Sequence, residues 1–294
     1  MTSRSLPVLV LLASALLWGL TWWPLKYFHA QGIAGVPLIL VAYGSVGLLM
    51  LPVFVIQRRR WRGQGHYLLL MLLLGGYANL SFATVMTYGE VVRAMVLFYL
   101  APVWGVLGGR LFLRERIDVQ RALGVALALL GALFILGGPQ LFSAPPSAYD
   151  LLALTSGFTF AMNNVAFRAT QSLPVASKVA AMFAGCLVMA GGLTLWQAQP
   201  LPSLAPATWA WVVAFGLGWL LLATVATQWA VTHMEAGRAA IILITELIAA
   251  VASATLLGGE TMSGVEMLGG TLILAATVLE AWRPAPFVCA HTTT

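Results

Sequence analysis

The chain has 294 residues, of which 61% are hydrophobic and 8% are charged, whereas a soluble domain has about 45–50% apolar and about 25% charged residues. This composition, with a mean hydropathy of +0.92, excludes a secreted enzyme, a disordered chain and a nucleic-acid-binding domain. The net charge of +6 is better explained by the basic cytoplasmic loops of a membrane protein than by a nucleic-acid partner. We therefore expect an all-α integral membrane protein.

Ten apolar runs follow one another along the chain, separated by polar residues, glycine or proline. A helix that crosses the hydrocarbon core needs about 20 mostly apolar residues, so ten spans use roughly 200 residues and leave no room for a soluble domain. The runs predict transmembrane helices at 6–26, 36–56, 67–88, 91–112, 119–137, 150–169, 175–196, 207–230, 236–257 and 264–282. Near the N-terminus Ala13-Ser14-Ala15 resembles a signal-peptide cleavage site, but the apolar run continues through Trp23, which predicts a retained first span.

The basic residues predict the orientation of these spans. With the N-terminus placed in the cytoplasm, every basic residue apart from Lys26 and Arg93 falls on the cytoplasmic side. Lysine and arginine accumulate in the cytoplasmic loops of membrane proteins. We therefore expect both termini to lie in the cytoplasm.

The second half of the chain repeats charged and glycine positions of the first half at a constant offset of 145 residues. The repeated pairs are Glu90 and Glu235, Arg93 and Arg238, Glu115 and Glu260, and Gly124 and Gly269. Because each half holds an odd number of spans, the two halves have opposite orientations, as in many secondary transporters. The predicted division is a first five-span repeat at 1–137, a connecting loop at 138–149, a second repeat at 150–282 and a cytoplasmic tail at 283–294.

Short motifs accompany this repeat: Trp18-Gly19 in span one, Tyr99-Leu100-Ala101-Pro102-Val103 in span four, a glutamate after spans four and nine, and a glycine opening each following span. With ten spans in two inverted halves, the chain resembles the drug/metabolite transporter superfamily, specifically its EamA-type members. The abundance of aromatic residues and the short loops are most similar to the YddG-like aromatic amino-acid exporters of bacterial inner membranes. One departure is that the second-half counterpart of Pro102 is Leu247, so the two halves need not bend alike.

The resemblance implies a central cavity lined by spans one to four and six to nine, with spans five and ten peripheral. It implies export of neutral and aromatic amino acids across the cell inner membrane by alternating access. The expected partners are a small-molecule substrate and membrane lipids, with no cofactor and no nucleic acid. This interpretation is compatible with a monomeric protein.

Polar side chains inside spans usually face the bundle interior or a cavity, because exposing them to lipid is costly. The candidate substrate-binding residues chosen on this ground, together with two tryptophans of span one, are Trp18, Trp22, Tyr77, Asn79, Ser81, Thr84, Tyr99, Asn163, Asn164, Gln228 and Glu246. Glu246 stands near the middle of span nine. It could bind a substrate ammonium group, take up a proton, or form a structural hydrogen bond as a protonated carboxyl.

Two polar stripes and one aromatic pair support this choice. Tyr77, Ser81 and Thr84 share one face of span three, and Asn163 belongs to a similar stripe on span six. The stripes suggest two walls of one cavity, with interhelical hydrogen bonds as the structural alternative. Trp18 and Trp22 lie one turn apart, where they could stack on a flat substrate ring or cover a cation.

Several functions remain open at this point. Because Glu246 is almost alone as a buried titratable group, a uniporter is as plausible as a proton-coupled antiporter. Glu246 and the tryptophans would equally suit an exporter of hydrophobic cations or other metabolites. An intramembrane enzyme would need a carboxylate cluster or a nucleophile with a base, whereas Asp118 and Asp150 are isolated. A membrane scaffold would not need the polar residues at midspan.

Overall fold

The computed structural model describes residues 5–61, 63–88, 95, 97–135, 145, 147–197, 201–258 and 263–282. All regular secondary structure in these ranges is helical, without a strand. The α-helices are α1 Leu6–Gly19, α2 Trp22–Ala30, α3 Gly35–Gln57, α4 Gly65–Tyr88, α5 Ala101–Leu113, α6 Val119–Ile135, α7 Ala148–Ala169, α8 Val175–Trp196, α9 Pro206–Ala214, α10 Leu221–Thr232, α11 Ala236–Leu243, α12 Thr245–Gly258 and α13 Gly264–Ala281. An exposed 3₁₀ turn, Arg58–Arg60, follows α3, and a π-helical segment, Phe215–Leu220, joins α9 to α10.

Within the described ranges, five helical stretches are long and apolar enough to cross a membrane. They are Leu6–Ala30, Gly35–Arg60, Gly65–Met86, Val175–Trp196 and Pro206–Thr232. Ala101–Leu113, Val119–Ile135 and Met267–Ala281 are apolar but shorter. The ten-span count and the inverted orientation of the halves therefore stay predictions. Glu90, Arg93, Glu260, most of the predicted connecting loop and the tail from residue 283 lie outside the described residues.

The first predicted span is not one continuous helix. Helix α1 ends at Gly19, and α2 begins at Trp22 and continues to Ala30, beyond the predicted end at residue 26. Pro24 explains the interruption, because it lacks an N–H group and its ring excludes the carbonyl oxygen four residues earlier, that of Leu20.

The fourth and ninth predicted spans are interrupted at equivalent positions. Helix α5 begins at Ala101 after a turn at Tyr99 and Leu100, and a turn at Ile244 separates α11 from α12. Ile244 lies 145 residues after Tyr99, so both halves bend at the same place although Leu247 replaces Pro102. In the second half the Thr245 hydroxyl donates to the Ile242 carbonyl oxygen (2.7 Å), which offers that carbonyl an alternative partner to the helical N–H.

Close packing of small residues joins the helices. Helix α3 packs on α8, α4 packs on α7 and α8, and α1 packs on α10 and α12. Helices α6 and α13 form one of the most extensive pairs, in which a Cβ on Gly131 would lie 2.6 Å from the Gly269 carbonyl oxygen, and the reverse distance is the same. Only glycine allows this backbone approach, which makes α6 and α13 a firmly packed pair.

Candidate functional site

A small cavity lies where the interruptions of spans four and nine face each other. Its volume is about 20 Å³, which holds about one water molecule. Helices α5, α7, α11 and α12 contribute its walls, together with Phe98 and Tyr99 before α5. The polar side chains in the described lining are Tyr99, Asn164 and Glu246, and the aromatic neighbours include Phe98 and Phe160. The cavity is therefore a small pocket with acceptor groups and aromatic walls.

The central polar contact joins the two halves of the chain. The Tyr99 hydroxyl donates a hydrogen bond of 2.7 Å to Glu246 Oε1. Tyr99 lies in the turn before α5, and Glu246 lies in the first turn of α12, where the helix dipole favours a negative charge. Both residues were predicted as substrate-binding candidates, and the structure brings them into direct contact.

Span one crosses α12 directly beside this pair. A Cβ on Gly19 would lie 2.5 Å from the Glu246 backbone carbonyl oxygen and 2.5 Å from Ala249 Cβ. Since only a glycine fits this crossing, the interruption of span one after Gly19 is held next to Glu246. The interrupted segments of spans one, four and nine therefore meet at Glu246.

The tryptophans of span one form hydrogen bonds between helices and are not among the cavity-lining residues. The Trp18 indole N–H donates to Thr227 Oγ1 (3.1 Å), and the Trp22 indole N–H donates to Ser253 Oγ (2.8 Å). The Lys26 ammonium lies 5.9 Å from the centre of the Trp22 ring. These contacts hold α1 against α10 and α2 against α12.

Hydroxyl and amide groups on α4 bond mainly within their own helix. Asn79 Nδ2 donates to the Gly75 carbonyl, Ser81 Oγ to the Tyr77 carbonyl and Thr84 Oγ1 to the Leu80 carbonyl, at 2.6–2.8 Å. The Tyr77 hydroxyl instead lies 2.9 Å from Thr155 Oγ1 on α7. Tyr77, Thr155 and Thr159 line a second, open cavity of about 450 Å³ with otherwise apolar walls. The predicted α4 stripe is thus not part of the Glu246 cavity.

The amides on α7 and α10 divide between two surroundings. Asn164 lines the Glu246 cavity, and its Oδ1 accepts a hydrogen bond of 3.2 Å from Gln228 Nε2. Asn163 points instead toward α8, where its Nδ2 lies 3.9 Å from Met182 Sδ. The buried Gln228 Oε1 and Asn163 Oδ1 have no hydrogen-bond partner in the described part of the chain. Asn164 and Gln228 therefore extend the polar wall of the cavity, whereas Asn163 lies outside it.

A buried charge cluster lies at the C-terminal ends of α5 and α13 and the N-terminal ends of α6 and α11. Arg121 was expected among cytoplasmic loop cations, yet it is fully buried. Its guanidinium contacts the carboxylates of Glu280 (2.9 Å), Glu115 (3.5 Å) and Glu235. Burial raises the pKa of the Glu115 carboxyl, although the backbone N–H groups of Ala236 and Gly237 act in the opposite direction. A proton therefore binds more tightly to Glu115 than to an exposed glutamate.

The sequence pattern did not indicate this cluster. Glu115 and Glu235 were noted only as markers of the repeat, and Glu280 was not singled out. A charged residue at the end of an apolar run, as Glu280 is, was the available signal. Lys178, another expected loop cation, is also fully buried, with its ammonium group donating to Phe167 O, Thr170 O and Thr232 Oγ1.

We compared the chain with models of known protein families. The model of the EamA-like transporter family matches residues 5–137 and 147–281. The chain belongs to the EamA-like transporter family. Because the family model matches twice, this EamA protein is built from two copies of the family's unit. Members of this family are transporters.

Two relatives of this EamA chain have transporter names. The uncharacterized transporter YoaV of Bacillus subtilis (strain 168) is 25% identical over 166 residues, which is 54% of this chain and 56% of YoaV. An uncharacterized transporter of Archaeoglobus fulgidus is 26% identical over 218 residues, covering 71% of this chain and 75% of the relative. A crystal structure of a protein with 17% sequence identity superimposes with a TM-score of 0.75, covering 95% of this chain and 98% of the other. This last likeness concerns the fold alone.

Proposed function

We propose that this EamA-family protein is a secondary transporter that binds the protonated amine of its substrate at the Glu246 and Tyr99 pair. The proposed cargo is neutral and aromatic amino acids, exported across the inner membrane of a bacterial cell. The observation that carries this proposal is the meeting of three interrupted helical segments around Glu246. Interrupted helices form the substrate sites of many secondary transporters near the middle of the bilayer.

The chemistry of the cavity supports an amine-bearing substrate. The Glu246 carboxylate and the Asn164 amide oxygen accept hydrogen bonds, and a charge-assisted bond from an ammonium group is stronger than a neutral one. Phe98 and Phe160 supply aromatic surface for the body of the substrate. The Tyr99 hydroxyl now donates to Glu246, and it could donate to a substrate carboxylate once the substrate ammonium group takes its place on Glu246.

The small size of the cavity supports alternating access. A volume that holds one water molecule is too small for an amino acid, so a substrate enters only after helices move apart. The interruptions at residues 20–21, 99–100 and 244 divide three spans into shorter rigid pieces beside the cavity. We propose that these pieces rearrange within a ten-span, inverted-repeat bundle whose termini both lie in the cytoplasm.

Export of hydrophobic cations is the second candidate function. The described cavity lining contains no cationic side chain, so a substrate carboxylate would find only neutral hydrogen-bond donors there. This observation favours substrates that carry an amine and no carboxylate. The two candidates differ in whether the substrate carboxylate contributes to binding. They therefore predict different behaviour toward compounds that lack it.

Flux into proteoliposomes tests both candidates. We would measure uptake of labelled phenylalanine, leucine and threonine with and without an imposed pH gradient, and competition by phenethylamine and by 3-phenylpropionate. The proposal expects saturable phenylalanine flux that is inhibited strongly by unlabelled phenylalanine, more weakly by phenethylamine and not by 3-phenylpropionate. Stronger inhibition by phenethylamine than by phenylalanine favours the cation exporter. Equal inhibition by 3-phenylpropionate contradicts amine recognition at Glu246, and the response to the gradient separates uniport from proton antiport.

A further inference from the structure

The buried Arg121 cluster connects the two copies of the EamA unit. Arg121 belongs to the first copy, in the first turn of α6, and Glu115 precedes it in the α5–α6 connection. Glu235 and Glu280 belong to the second copy, immediately before α11 and near the end of α13. One guanidinium thus bonds to carboxylates from both copies.

The same cluster holds the N-terminus of α11. Glu115 Oε1 accepts a hydrogen bond of 2.9 Å from the Ala236 N–H, and Oε2 accepts one of 3.3 Å from the Gly237 N–H. These N–H groups have no partner inside their own helix, and a carboxylate at a helix N-terminus is favoured by the helix dipole. Glu235, the residue just before α11, also contacts Arg121. Helix α11 is therefore fixed to the first copy through both Glu115 and Glu235.

The other end of α11 reaches the proposed substrate site. The helix has eight residues, a length of about 12 Å, and it ends one residue before the interruption at Ile244. Ala236, Ala240 and Leu243 on α11 line the cavity that contains Glu246. A movement of α11 at the cluster consequently changes a wall of the cavity.

Helix α11 and helix α5 meet through small side chains. A Cβ on Gly105 would lie 2.7 Å from Ala240 Cβ, and one on Gly109 would lie 3.6 Å from Ala236 Cβ. This contact relies on close packing of small groups. The hydrogen bonds and ion pairs of the Arg121 cluster add a directional restraint on the same helix.

We propose that Glu115, Arg121 and Glu235 form a latch that holds α11 closed over the cavity, and that the latch opens during transport. This inference rests on the proposed transport function. Glu280 differs from the latch residues, because it lies on α13, which is packed firmly against α6 through Gly131 and Gly269. When α11 moves away it takes Glu235 with it, while Arg121 keeps Glu280 and Glu115 as partners, so that the buried guanidinium is not left unpaired. In the proposed orientation the latch closes the cytoplasmic mouth.

Cysteine labelling tests the latch without any substrate. Leu243→Cys places a thiol on the cavity wall in a background in which Cys186 and Cys289 are replaced by serine. A membrane-impermeant maleimide is applied to inside-out and right-side-out vesicles. We expect Glu235→Gln to raise the labelling rate from the cytoplasmic face by about tenfold, because the charged contact that holds α11 is lost.

Glu280→Gln is the matched control, because it removes a carboxylate from the same guanidinium but from the α13 side. The latch predicts little change in its labelling rate, whereas a purely structural cluster predicts equal effects of both variants. Equal rates, or no increase in Glu235→Gln, would overturn the proposal. Glu235→Asp is the second variant if Glu235→Gln does not fold, and we expect it to give an intermediate rate. If no amino acid is transported but the labelling asymmetry appears, the proposed cargo fails while the latch stands.

Discussion

At the scale of single residues, Glu246 and Tyr99 are the groups on which the proposed function depends. Replacing Glu246 with glutamine removes a titratable carboxylate but keeps its size. We expect Glu246→Gln to lower the affinity for phenylalanine by at least about tenfold, since a hydrogen bond to a charged group contributes about 1.5–3 kcal/mol. We also expect it to change the pH dependence of flux.

Tyr99→Phe is the matched variant, because it removes only the hydroxyl that donates to Glu246. Its effect on affinity should be smaller than that of Glu246→Gln. Both are measured as concentration-dependent flux at several pH values. Unchanged transport in Glu246→Gln at every pH would remove Glu246 from the mechanism.

Gly19 gives a prediction about stability. A methyl group at Gly19 would collide with the Glu246 carbonyl oxygen and Ala249 Cβ, and overpacking of this kind typically costs about 1–3 kcal/mol. We expect Gly19→Ala to lower the thermal unfolding temperature in detergent. Gly270→Ala is the control, because a Cβ there meets nothing within 4 Å and alanine is the better helix former. A Gly19→Ala protein as stable as Gly270→Ala would contradict the close crossing.

At the scale of helices, the contact between α2 and α12 assigns Trp22 a role that the sequence did not suggest. The Trp22 indole donates to Ser253 Oγ, so its loss should loosen the packing of span one against span nine for every substrate. We expect Trp22→Phe and Ser253→Ala to reduce phenylalanine and threonine flux alike. We also expect the flux of the double variant to be no lower than that of either single variant, because both residues act through the same contact.

The alternative is ring stacking on the substrate, which the spacing of Trp18 and Trp22 suggested. Under that hypothesis Trp22→Ala weakens transport of phenylalanine more than that of threonine, and Ser253→Ala has no such selectivity. Flux of both amino acids in the four proteins of the cycle and in Trp22→Ala separates the two roles.

At the scale of the whole molecule, the two copies of the family unit pack on each other along several helix pairs, among them α3 with α8 and α6 with α13, and the Arg121 cluster links the copies at one end of α6 and α13. If the copies are inverted in the bilayer, the Arg58–Arg60 turn faces the cytoplasm and Lys26 lies at the outer surface. We expect cysteine in place of Arg59 to be labelled by an impermeant maleimide only in inside-out vesicles. Cysteine in place of Lys26 should be labelled only in right-side-out vesicles, and labelling of both from one face would refute the orientation.

The sequence alone determined that the protein is helical and belongs in a membrane. The length and apolarity of a segment decide whether it can cross a bilayer, and both can be counted along the chain without knowing its contacts. The residues that carry the family resemblance lie at fixed spacings, and the EamA membership that they implied is confirmed. Pro24 was a local signal for the interruption of span one, although the interruption was not predicted. One local argument, the free-energy cost of exposing polar groups to lipid, was enough to choose Glu246, Tyr99, Asn164 and Gln228 as candidate substrate-binding residues.

Only the tertiary structure decided which of these residues meet. Tyr99 and Glu246 are 147 residues apart, and Arg121 and Glu280 are 159 residues apart. Such contacts depend on helix crossings set by small residues such as Gly19, and no periodicity along one helix encodes them. The same reason explains why Arg121, expected in a loop, is buried. Its partners Glu235 and Glu280 come from distant parts of the chain, and their carboxylates replace the water that an isolated charge would need.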